Sequence, residues 1–217
     1  MNFHRNRVVS YLNPIHECFY SKILKRAVTF AAILLLAACA ARVPSHPNDM
    51  CTIFREFPDW YKATEKTEDK WGVPIPVQMA IMYHESAFKK EAKPPRKRFL
   101  WIFPGPRPTS AYSYSQALDS AWADYEKSTG NWHAQRNNFG DASDFVGWYC
   151  YQSHRKLGIA YDDAYAQYLA YHEGWGGYTR GSYNSQTWLI HYSQRVQSRA
   201  TLYQFQLEQC KAALDAM

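Results

Sequence analysis

Residues 76–88, PVQMAIMYHESAF, constrain this chain more than any other stretch. Pro76 suits a first helical position, where its missing N–H would lack a partner anyway, and twelve residues without Gly or Pro follow it. A helix over 76–88 is predicted. Val77, Ile81, Glu85 and Phe88 recur at spacings of four, four and three, so one carboxylate shares a stripe with apolar side chains. A carboxyl pressed against apolar neighbours resists ionising, and one that stays protonated near neutral pH can act as a general acid. The alternative for a Glu near a helix end is a solvated side chain or one paired with a neighbouring base. Spacing alone does not choose between them.

The first 38 residues read as a targeting segment. Lys22, Lys25 and Arg26 precede an apolar run over 27–38 that is short for a membrane span and ends in small residues before Cys39. Leu36-Ala37-Ala38-Cys39 resembles the bacterial lipobox, which implies acylation of Cys39 and a lipid tether over 39–50; a plain signal peptide or an uncleaved anchor is the alternative. Ala40 after that Cys is compatible, by analogy, with sorting to the outer membrane. Removal of 1–38 leaves 20 basic and 18 acidic residues, a net charge of +2 rather than +6. Nucleic acid is therefore a poor candidate partner for an exported chain.

Export suits the cysteines. Cys51, Cys150 and Cys210 remain after Cys18 is removed and Cys39 is acylated, and only two can pair. Cys51 and Cys210 bracket one domain of ordinary size over 51–217, and domain termini often lie close together, so these two are the expected bridge. Cys150 in FVGWYCY reads as a buried thiol.

The remaining pattern is helical, and the fold class expected is all-α. A charged helix over 59–71 carries Trp60, Thr64 and Trp71 inward. Ser113 or Ser115 caps the next, which runs through Ala117, Ala121, Trp122 and Tyr125 to Gly130; Asp141 caps 142–157, with Phe145, Trp148 and Tyr149 on one face. Asp162 or Asp163 opens 164–172, a loop rich in Gly follows over 174–181, and 188–210 closes the chain with Val196, Leu202, Tyr203 and Leu207 inward. Between Lys93 and Thr109 lie five Pro, Lys93, Arg96, Lys97, Arg98 and Arg107, no acid, and the apolar run 99–103. Five prolines predict a long loop, with room for a short hairpin. A basic loop with an apolar tip suits an anionic surface or a glycan; the alternative is a tip folded back onto the core. Eight Trp and 17 Tyr exceed what one core needs, and partly exposed rings in a cleft are platforms for sugars.

HESAF, SAYSYSQAL and LAYHEG occur in that order, and the set resembles the soluble lytic transglycosylase (SLT) family, which has a lysozyme-like fold. The family's Glu-Ser falls on Glu85-Ser86. Its Gly-Ala-x-Gly-Leu-Met-Gln falls on Ser110, Ala111, Tyr112, Ser113, Tyr114, Ser115 and Gln116, keeping the Ala and the Gln. Its Ala-Tyr-Asn-Ala-Gly falls on Ala170, Tyr171, His172, Glu173 and Gly174. The resemblance implies a peptidoglycan lytic transglycosylase with Glu85 as the one acid and base, no cofactor and a monomeric, lipid-anchored periplasmic form. It implies Gln116 and Tyr171 as lining the cleft beside Glu85 and Ser86 as either orienting the end of the catalytic helix or contacting the sugar; Tyr114 and Glu173 complete the expected substrate-binding set. Were Glu173 to face Glu85, a hydrolytic muramidase would be the alternative; a glycan-binding lipoprotein without turnover is another.

Other chemistries find less support. Both His84-Glu85 and His172-Glu173 lack the second His four residues after the first that a zinc-protease helix needs, because Phe88 and Gly176 stand there. A metal site from His84, His172 and a carboxylate is left as the remaining metal reading. No nucleophile elbow or phosphate loop occurs.

Overall fold

The structure is a computed structural model that describes residues 42–99 and 103–217. The signal segment 1–38, Cys39 and the tip residues Leu100, Trp101 and Ile102 lie outside the described residues. Seven α-helices are present among those described: α1 (Met50–Glu56), α2 (Pro58–Trp71), α3 (Ile75–Ser86), α4 (Asp119–Thr129), α5 (Phe139–Leu157), α6 (Ala164–Arg180) and α7 (Thr187–Asp215). Two two-residue strands, β1 (Arg98–Phe99) and β2 (Phe103–Pro104), pair antiparallel with Phe99 opposite Phe103. The described chain is all-α apart from this hairpin.

The predicted helix over 76–88 begins one residue earlier and ends two earlier. Ala87 and Phe88 both take left-handed backbone, with φ of 49° and 60°, and the Ala87 amide closes the helix on the Tyr83 carbonyl at 2.8 Å. This turn carries Phe88 back into the core beside Trp60, so it is buried without sharing the helical stripe. Nine of the 12 residues of α3 are buried, on every face, as expected of a helix surrounded by others. It packs against α2, α5, α6 and α7.

A buried polar group joins three of these helices. Gln78 on α3 donates to the Thr64 and Val73 carbonyls at 3.1 and 2.7 Å and accepts from Ser143 on α5 at 2.8 Å, while Ser143 also meets Thr67 of α2 at 3.1 Å. A buried amide so satisfied costs little and fixes the register of its neighbours. Trp60 stacks on Phe139 at 3.9 Å between centroids and meets Tyr114 edge-on.

Cys51 and Cys210 are bonded, closing a loop with a sequence separation of 159 between α1 and the end of α7. Such a closure acts chiefly on the unfolded chain, by removing its freedom. Cys150 is a buried free thiol, and burial pushes its pKa up. Within the expected tether, the residues after Pro44 lie against the domain: Pro44 is buried, Tyr203 donates to the Pro47 carbonyl and Gln206 to that of Asn48.

Several boundaries differ from expectation. Neither Ser113 nor Ser115 caps α4; both are buried, and Ser110 Oγ accepts from the Asp119 amide at the true start. α5 opens at Asn138, whose side chain accepts from the Asp141 amide, so Asp141 lies in the first turn. α6, capped by Asp163, continues past 172 to Arg180 through a break at Gly174, whose φ of 71° and ψ of 160° suit glycine alone. Leu202 is 42% exposed and Phe103 is 60% exposed, so neither joins the core.

α2 and α5 touch at Gly147. A Cβ there would fall on the Thr67 methyl and within 2.8 Å of Trp71 Cδ1. Gly147→Ala is therefore expected to destabilise the domain by about 1–3 kcal/mol through overpacking, read as a lowered urea midpoint.

Candidate active site

Glu85 stands on the last turn of α3, where the helix leaves the core. It lies in an open groove of about 530 Å³ whose walls include His84, Lys89, Lys93, Gln116 and Tyr192. Burial raises the Glu85 carboxyl from 4.5 to about 7, and the Tyr168 hydroxyl that reaches it pulls weakly the other way. No cation and no second carboxylate contributes to that shift. Tyr168, Tyr171 and Tyr192 all feel the Glu85 charge, and desolvation pushes each phenol upward, so the acid is ringed by neutral hydroxyls. His84 is neutral as well, lowered to about 4 first by burial and then by Arg199 and Arg195.

The end of α3 is held from two sides. Tyr192 on α7 donates to the His84 carbonyl at 2.7 Å, one of the orphan acceptors of a helix terminus. Ser86 donates to the Tyr114 carbonyl at 2.9 Å, which ties Glu85 to the turn at 113–116. Tyr171 on α6 donates to the Ser115 carbonyl of the same turn at 2.6 Å. Gln116 donates to the Ser113 and Ala92 carbonyls at 2.7 and 3.1 Å. The structure thus brings Ser86, Gln116 and Tyr171 together beside Glu85, with their donors engaged on backbone carbonyls.

Two of the expected substrate-binding residues have their side chains engaged within the protein. Tyr114 is 5% exposed and its ring lies edge-on to Trp60 and Phe139, so only its carbonyl takes part in the site. Ser86 is buried, and its hydroxyl is spent on the clamp. Glu173 lies at the α6 break, where it accepts from Ser182 and meets His172 Nδ1 at 3.1 Å. The Ser182 hydrogen bond leads a set that keeps this carboxyl below its usual range, and the group plays no part in the Glu85 shift. Gln116, Tyr171, His172 and Glu173 line a second hollow of about 340 Å³, walled by Trp148 and Trp175. Among the described residues no three His, Cys, Asp or Glu side chains converge as metal ligands.

A family model for the transglycosylase SLT domain matches residues 27–210. The chain belongs to that family. The SLT domain carries the family-level activity, lytic transglycosylation of peptidoglycan, and with it the all-α lysozyme-like fold and a place in the cell-wall compartment. No curated relative matches the chain. No helix among the described residues is long and apolar enough to cross a membrane.

Tyr168, which lies outside the three motifs, stands beside the Glu85 carboxyl. Its signal was the spacing of three from Tyr171, which puts both phenols on one face of α6. Tyr192 gave no comparable signal.

The turn beneath the SLT site is strained. Ser113 stands where the family motif has Gly, at φ 67°, and its buried hydroxyl has no hydrogen-bond partner. Left-handed backbone costs a residue with a Cβ about 1 kcal/mol, and an unpaired buried hydroxyl adds to that. Ser113→Gly is expected to stabilise the domain by about 1 kcal/mol or more, visible as a rise in Tm, with cleavage retained.

Proposed function

We propose that this domain cleaves the MurNAc-GlcNAc β-1,4 bond with Glu85 acting first as acid and then as base. The protonated carboxyl gives its proton to the bridging oxygen as the C1–O bond breaks, leaving an oxocarbenium-like muramyl ring. The 6-hydroxyl of that ring then bonds to C1 and returns its proton to Glu85, giving a 1,6-anhydro end with no water consumed. One carboxyl suffices because the nucleophile belongs to the substrate.

The observation that carries this reading is a lone carboxyl held near pKa 7 by burial, with neutral phenols around it. Glu173, engaged by Ser182 and His172, supports the anhydro route over a water-activating pair. Tyr171 and Ser86 serve as positioning residues through the turn at 113–116, and Gln116 borders both hollows along which a strand would lie. The signal segment 1–38, acylation at Cys39 and a monomeric domain attached to the outer membrane complete the proposal.

Incubation of the domain with purified sacculi and weighing of the fragments tests it. Anhydro ends are expected; reducing ends would indicate hydrolysis, and intact sacculi a binding protein. Glu85→Gln is expected to abolish cleavage, and full activity in that variant would remove Glu85 from the acid role.

The raised pKa also fixes two pH dependences. kcat/KM is expected to fall about tenfold per pH unit above about 7, as the acid form is lost. For stability, the folded pKa lies above the unfolded value, so the fold binds more protons between about 4.5 and 7 and loses stability as pH rises through that window. Glu85→Gln should therefore stabilise the domain at pH 8 by up to about 3 kcal/mol and gain little at pH 4, measured by chemical denaturation at both.

A further inference from the structure

The chain leaves α3 directly into its most basic segment. Residues 89–109 hold seven Lys or Arg and one acid, Glu91, whereas the rest of the chain beyond residue 38 holds 13 basic and 17 acidic residues. Glu91 is turned to Tyr112 and Asn137, which hold its carboxyl below the usual range. Lys89 and Lys93 are exposed and line the Glu85 groove. On the walls beside them His84 and the acid form of Glu85 are neutral, and the Tyr192 phenol is pushed upward by burial. One edge of an uncharged cleft is therefore cationic.

This edge is built rather than loose. The Lys89 amide donates to the Ser86 carbonyl at 3.1 Å and the Ala92 amide to the Lys89 carbonyl at 3.2 Å. The Ala92 carbonyl then accepts from the Ser113 amide at 2.8 Å and from Gln116 Nε2 at 3.1 Å. Arg107 donates to the Pro94 carbonyl, Pro94-Pro95 stiffens the next step, and the Lys93 ammonium lies 4.8 Å from the Tyr112 ring centre. The backbone that carries the two lysines is thus fixed to Glu85 through the same turn that Ser86 and Tyr171 clamp.

We propose that this rim binds the free carboxylates of the stem peptides that the muramyl rings carry, so that the domain prefers strands bearing acidic, uncrosslinked stems. The proposal rests on the reading of Glu85 as the acid that cuts peptidoglycan. The sugar rings within a strand are uncharged, so a cationic edge has no partner in the glycan itself; the stems supply carboxylates beside the ring being cut. Exposed ion pairs contribute up to about fivefold in affinity each, so a pair of lysines gives a preference of about five- to twenty-fold at low salt.

Sacculi whose free carboxylates are capped as methylamides provide the comparison, since capping leaves the glycan unchanged. The wild-type domain is expected to show kcat/KM about five- to twenty-fold higher on native than on capped sacculi, and 0.5 M salt should shrink the ratio. Lys89→Gln/Lys93→Gln should bring the ratio near one, while Lys62→Gln/Lys127→Gln, which removes two exposed charges elsewhere, leaves it as in wild type. Equal cleavage of native and capped sacculi by wild type overturns the proposal, as does a rim variant that slows both in proportion. Co-sedimentation of Glu85→Gln protein with the two sacculi reads binding without turnover. A preference there supports the rim even if Glu85 has another role, and its absence counts against the rim even if Glu85 is the acid. Loss of binding to phosphatidylglycerol vesicles in the rim variant, with the sacculus ratio unchanged, would assign the rim to a phosphate surface and overturn the proposal.

Discussion

A helix that is apolar on every face must be walled in on every side, and α3 is such a helix. α2, α5, α6 and α7 supply the walls, and the buried amide of Gln78 locks two of them to it by hydrogen bonds to Thr64 and Ser143. Surrounded in this way, α3 can meet water only at its ends. Its C-terminal turn opens into the groove, and there stands Glu85. The acid strength of that residue follows from the fold as a whole: close packing removes water from one side of the carboxyl, no cation repays the loss, and the proton is retained. A site of this kind is kept at the expense of stability, since the same packing would hold a neutral residue more firmly.

The motif residues around Glu85 spend their donors on backbone carbonyls. Ser86, Tyr171 and Gln116 each donate to a carbonyl in or beside the turn at 113–116. That turn holds two non-glycine residues with left-handed backbone, Ser113 and Gln116, which only the surrounding hydrogen bonds keep in place. Two helices and one turn are thus fixed to each other around Glu85, and the proposed proton transfer relies on rigid support of this kind.

Much of this was legible in the residues, for reasons that differ by element. Pro76, the apolar run and the phase of Glu85 sufficed for α3 because a continuous apolar helix has few other solutions. The end of α3 was not legible, since Ala87 and Phe88 turn left-handed without a glycine to announce it. Ser113 and Ser115 were read as caps because serine favours caps; in the fold they are core, and Ser110 does the capping. Gly174 marks a break, but α6 resumes beyond it, because the packing of Tyr178 and the bond of Ser182 to Glu173 hold the following turns. The direction of Tyr114 was not legible, since spacing does not tell a side chain facing a groove from one facing Trp60.

The cationic rim and the neutral acid would conflict if they were closer. An ammonium group beside Glu85 would favour the carboxylate and discharge the proton before a substrate arrived. Lys89 and Lys93 contribute nothing to the Glu85 shift, because they stand in water where solvent and salt screen them. Water thus separates two opposite electrostatic tasks, attraction of an anionic strand at the edge and retention of a proton at the centre. A strand that seats its carboxylates on the rim would neutralise the lysines and exclude water from the groove. Exclusion of water pushes the Glu85 pKa further up, so on the proposed reading the carboxyl is most firmly protonated when the bond to be cut is in place.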